Sequence, residues 1–269
     1  MNITIRSPSK PPSSTKPHNT TSPQVTPLNP PDLSFMTSSS TPWHVTLSTL
    51  PMWRTNRNVR IRYTLLEPSK PLLGSSGPEP TKPGKKKNAS LRLLDRVTYQ
   101  SQSQSLKSKS RPGTESESGS GSGENESKDK VHCVMGVDTA ITTRGKDDEG
   151  STWGWEWRGS GWLRLASSRW EVLGYGTITT IPGPTEEDGA GPVQAGGDGQ
   201  EERMDWMVTY FSKTLFTPAG IDIYARPRAV VPEELLAGIK RGLKDTGDVV
   251  LGRLAEELFP VRHDSDSTS

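Results

Sequence analysis

The chain has 269 residues, a net charge of only +2, 26 Gly, 23 Pro and 30% hydrophobic side chains. That is too polar for one compact domain of this length, and no apolar run approaches the roughly 18 residues a membrane-spanning helix needs. The near-neutral charge excludes a general nucleic-acid footprint, so no nucleic-acid partner is expected. The stretches 1–40, 66–89, 101–130, 144–151, 181–203 and 260–269 are dominated by Ser, Thr, Pro, Gly and charge. The remainder suffices for one small domain.

In chain order, residues 1–40 read as a disordered Ser/Thr/Pro-rich tail. The opening MNITIRSPSKPP lacks the apolar core of a secretory signal. Cys133 is the sole cysteine, which suits a reducing, cytoplasmic location, with nuclear or organellar placement as the alternative. WHVTL places Trp43, Val45 and Leu47 on one side of a strand. NVRIRYTL does the same with Val59, Ile61, Tyr63 and Leu65 against Arg60, Arg62 and Thr64; that period of two marks a strand with one wet face. Residues 91–100 form a third strand.

VHCVMGVDTAI follows, with Val131, Cys133, Met135, Val137 and Ile141 sharing a face. TWGWEW comes next. Arg158-Gly159-Ser160-Gly161 predicts a tight hairpin, and Ser167-Ser168 a bend or second hairpin within 162–176. After the acidic loop, 204–216 and 220–226 read as the last strands. Pro232, Glu233 and Glu234 then open a helix, with Leu235, Leu236, Ile239 and Leu243 at helical spacing. Gly247 is a stop and Asp248 a cap for a second short helix ending at Pro260.

The order predicts an all-β fold: a single antiparallel up-and-down barrel of about eight or nine strands with one or two C-terminal helices over 232–259. No helix lies between strands, so parallel crossovers are excluded. Closure removes the open edges of a flat sheet, and about eight strands enclose room for side chains or one small ligand. A two-sheet sandwich is the alternative. The domain is 41–259, with disordered insertions near 66–89, 101–130 and 181–203 and a disordered tail over 260–269.

The segments TPWHVTLSTLPMWRTNRNVRIRYTLL, TWGWEWRGSGWLRLASSRWEVLGYG and DWMVTYFSKTLFTPAGIDIYARP resemble the lipocalin-like (calycin) small barrels of fungal proteins. The resemblance implies a structural pair: a tryptophan on the first strand stacked by a basic side chain near the last. Trp43 with Arg226 or Arg228 matches it. Thr41 stands where that family places a glycine two residues before the tryptophan.

Tryptophan is the strongest chemical signal. Trp153, Trp155 and Trp157 fall at spacing two, and Trp162 and Trp170 lie beyond the hairpin. With Tyr210 they form the expected wall for a flat apolar or amphipathic ligand; a filled core is the other reading of the same cluster. Asp138 is the first acid to suspect as a general base, if it points inward. His132 and His44 sit on strands without partners at metal-ligand spacing, so neither a metal nor a cofactor is expected. No nucleotide or hydrolase motif is present. Three functions stay open: a binding protein for a small hydrophobic ligand, a small barrel enzyme of isomerase or cyclase type, and a scaffold with a filled barrel.

Overall fold

A computed structural model of the protein describes residues 3–9, 29–37, 40–67, 90–102, 130–141, 152–161, 166–180, 202–214 and 217–264. Residues 68–89, 103–129 and 181–201 of the expected insertions, the tail beyond 264 and Trp162 lie outside the described residues.

Strands β1 (Trp43–Ser48), β2 (Asn56–Leu66), β3 (Arg92–Ser101), β4 (Val131–Ala140), β5 (Gly154–Gly159), β6 (Ser167–Thr180), β7 (Glu202–Phe211) and β8 (Gly220–Arg226) pair antiparallel with their sequence neighbours. β8 then pairs with β1, and β1 with β2 through Trp43↔Ile61, which closes an eight-strand up-and-down barrel. The architecture is compatible with a lipocalin-like fold. A ninth strand, β9 (Phe259–Pro260), adds to the free side of β1. No second hairpin forms at Ser167-Ser168; β6 begins there and runs straight through. β7 likewise stops at Phe211, short of the expected residue 216.

Side-chain alternation divides the chain into an inside and an outside. Val59, Ile61 and Tyr63 are buried inside, while Leu65 stands 48% exposed at the strand end. The Leu47 side chain leaves the Trp43/Val45 face because β1 shifts register between Val45 and Leu47. On β4 the apolar row Val131, Cys133, Met135 points outward and is exposed; Gly136, Asp138 and Ala140 face in. The inward glycine has a clear cause. A Cβ on Gly136 would overlap the Trp157 indole of the neighbouring strand.

One wall of the barrel is covered. Helices α2 (Glu233–Asp245) and α3 (Val249–Glu257) lay Leu235, Ile239, Leu243, Leu251 and Leu254 on Leu173, Met204, Val208, Ile221 and Ile223. The turn between them uses Gly247 at φ 70°, and the Asp248 side chain caps α3 by accepting from Val250 N at 2.8 Å. Pieces of the N-terminal stretch join the fold as well. Ile3 and Ile5 pack with this helical layer, Ile5 occupying space left open by Gly174 and Gly242. Leu173 is the extra residue of a bulge and has no partner on β7; its carbonyl accepts from Arg6 N at 2.8 Å. The buried Glu171 carboxylate then holds Arg6 at 3.0 Å and the Ser9 amide at 2.9 Å.

Candidate functional site

The two ends of the barrel differ. At the end where β1 begins, a short helix α1 (Leu33–Thr37) lies against Trp43, whose indole donates to Met36 O at 3.1 Å. Arg226, buried among these groups, stacks on the Trp43 ring at 4.0 Å and donates to Phe35 O and to Asp205. Of the two expected arginines it is Arg226 that lies over the Trp43 ring; Arg228 is exposed. Cation–π contact plus two charge-assisted hydrogen bonds close this end. Trp153 sits just before β5, beside Tyr175 and under Arg6.

The middle of the barrel is packed. Trp155, Tyr224, Val45, Val59, Leu93, Val172 and Met207 have no exposed surface. Trp170 is stacked between Tyr63 (5.7 Å between centroids) and Trp155 (6.0 Å). Each ring buries a large area and stacks at favourable offset distances.

This packed layer also holds charge chemistry. Asp138 has no exposed surface and accepts from the Trp170 indole at 2.8 Å. Asp95 faces the same space from β3 and accepts from Trp157. Burial pushes the Asp138 carboxyl up to about 7, against the lowering effect of the Trp170 hydrogen bond. Burial, then the charge of Asp138, holds Asp95 well above the usual carboxylate range. The two cannot both ionise cheaply so close together. Burial likewise pushes Asp222 up to about 7, offset in part by hydrogen bonds from Ser48 and Trp53. Three buried polar atoms here lack a hydrogen-bond partner among the described residues: Asp95 Oδ1, Asp138 Oδ2 and Trp155 Nε1; the Tyr224 hydroxyl beside them meets those of Tyr63 and Thr209. Buried polar atoms are almost always satisfied, by protein groups or by ordered water.

Beyond this layer, toward the end where β1 and β3 finish, the inward side chains are only half-buried. Val97 and Tyr99 on β3, His132 and Val134 on β4, Trp157 on β5 and Phe211 on β7 form a mouth. Tyr99 and His132 stack at 5.2 Å. A 3-10 turn over Pro51–Thr55 places Trp53 at this end, edge-on to Tyr99 at 5.9 Å and bonded to Asp222.

Of the residues singled out by sequence, Trp155, Trp157, Trp170 and Asp138 come together inside the barrel, and His132 reaches the mouth. Tyr210 lies on the opposite face of β7, among the residues packed under the helices; its neighbour Phe211 faces in. Sequence reasoning ranks Asp138 ahead of the other strand acids, Asp95 and Asp222 among them, and does not single out Tyr63, Tyr99 or Tyr224. For Asp95 a signal existed: Leu93 and Val97 flank it at spacing two, so an inward Leu93 carries Asp95 inward with it. Among the described residues, no three His, Cys, Asp or Glu side chains gather as a metal site, and no helix is long and apolar enough to cross a membrane. In comparisons with known proteins, no family model matches the chain, and no curated protein matches it.

Proposed function

We propose that the protein is a lipocalin-like (calycin) binding protein, cytoplasmic, that holds a small amphipathic ligand at the mouth of its barrel. The observation that carries this reading is the set of three unpartnered polar atoms, two of them on the Asp95 and Asp138 carboxyls, in the layer below a half-buried aromatic rim. A flat apolar body would lie against Trp157, Tyr99 and Phe211. Its hydrogen-bonding end would reach the Asp95–Asp138 carboxyls. A carboxyl held protonated near neutral pH both donates and accepts, so it suits an uncharged alcohol or amine rather than an anion. Trp155 and Trp170 support this floor from behind. Trp153 sits near the closed end and Tyr210 under the helices, so the proposed contacts centre on Trp157.

A second reading has its own observation. A buried carboxyl near 7 is matched to proton transfer at neutral pH, so Asp138 suits a general acid–base in an isomerase acting on the same ligand. The distinguishing test is native mass spectrometry of protein purified gently from its own host. Binding predicts a single small-molecule mass, unchanged on incubation and lost on denaturation. Conversion of that molecule to an isomer during incubation, abolished by Asp138→Asn, favours the enzyme. The polypeptide mass alone, at neutral pH and without dilution, contradicts both.

A further inference from the structure

The outside of β2, β3 and β4 separates charge completely. These strands carry two acids, Asp95 and Asp138, and both face into the barrel. Their outward positions carry Arg60, Arg62, Arg92 and Arg96. Arg62 and Arg96 are direct cross-strand partners, and Arg60 stands opposite Thr98. Like charges directly opposite on one sheet face repel, so this pairing is unfavourable unless something anionic lies between them. The wall is also shaped. Pro42, Arg60, Arg62, Arg96 and Thr98 line an open groove of about 220 Å³, with no acidic side chain among the described residues of its lining. Arg62 spends one donor on Ser40 O at 2.6 Å, which leaves four of the five guanidinium donors. Arg96 is exposed and makes no ion pair among the described residues.

We infer that this groove is a binding site for a phosphomonoester-type dianion. A carboxylate is satisfied by one guanidinium fork. Several guanidiniums around one groove, with the Thr98 hydroxyl beside them, match a tetrahedral dianion that offers oxygens in several directions. The groove lies on the outer face and is separate from the barrel interior, so it stands independently of any interior ligand. The shared chemistry is the phosphate group, whether soluble or on a lipid headgroup.

The test is calorimetric titration of the full chain with inorganic phosphate at fixed ionic strength in chloride. It is paired with sedimentation against phosphatidylcholine vesicles with and without phosphatidic acid. Saturable one-to-one phosphate binding is expected, weakened tenfold or more in the double variant Arg62→Gln/Arg96→Gln. Arg158→Gln, on β5 outside the groove, should leave it unchanged. Vesicle recruitment that requires phosphatidic acid and is lost in the double variant assigns the headgroup; phosphate binding without recruitment assigns a soluble phosphomonoester. Circular dichroism verifies that each variant is folded. Phosphate and vesicle binding in the double variant equal to the parent, or no saturable binding by the parent, would overturn the assignment.

Discussion

Two walls of one barrel treat the same strand geometry in opposite ways. On β2 the burial alternates, with Val59, Ile61 and Tyr63 inside and Arg60, Arg62 and Thr64 toward water. On β8 every residue from Gly220 to Arg226 is buried. Ile221, Ile223 and Ala225 face α2 and α3, while Asp222, Tyr224 and Arg226 face the interior. The covered wall therefore reverses the usual rule: its apolar residues point away from the barrel and its polar ones point in. The helices, not the barrel, supply the apolar surroundings for that wall.

The largest effect should come from stripping the covered wall. Ending the chain at Pro232 removes Leu235, Ile239, Leu243, Leu251 and Leu254. At roughly 1.5–3 kcal/mol per buried aliphatic side chain, the loss is about 5 kcal/mol or more, comparable to the whole stability of a small domain. Denaturant melts should show an unfolded or dye-binding molten species. Next comes the packed middle: Trp155→Ala should cost about 3–5 kcal/mol, the usual scale for a buried aromatic. Met135→Ala, on the bare wall, should cost under about 1 kcal/mol in the same chemical melts.

Asp138→Asn acts in a pH-dependent way. The native carboxyl titrates near 7 and the unfolded one near 3.8. The folded state therefore binds more protons between those values, and the parent loses stability through this group as pH rises from about 4 to 7. The carboxamide can still accept from Trp170 and does not ionise. At pH 8 the variant should be more stable than the parent by about 1–3 kcal/mol, and at pH 4 the two should agree. A difference independent of pH would mean that Asp138 ionises normally in the folded chain. The smallest effect is expected on the bare wall. Arg62→Gln/Arg96→Gln should shift stability by no more than about 0.5 kcal/mol, toward a gain, because it removes a like-charge pair.

The same contrast explains what could be read from the residues. The strand order, the closure and the C-terminal helices were legible because each element has its own period and its own stop signals, such as Gly247 and Asp248. The face each strand buries was legible only where one face is wet, as on β2. On β4 the longer apolar row is the outer one, because the inward positions are shaped by the indole of Trp157 lying over Gly136. That is a cross-strand fact with no trace in either strand alone. Ile3 and Ile5 show the alternation of a short strand, but the prolines that follow hide it. For the site, Trp155, Trp157 and Trp170 stood out by type and spacing. Asp95, Tyr63 and Tyr224 did not, because their meaning lies in facing one another across the barrel.

The mouth over the Asp95–Asp138 pair is proposed to bind a small amphipathic molecule. N-phenyl-1-naphthylamine, a neutral flat probe with one N–H donor, tests it most directly by quenching of tryptophan fluorescence at neutral pH. Saturable one-to-one quenching is expected in the parent. Binding should weaken by about 1–3 kcal/mol in Trp157→Ala and in Tyr99→Ala, and remain unchanged in Met135→Ala. Saturable binding that survives both mouth substitutions in folded protein, or linear quenching without saturation in the parent, would contradict it.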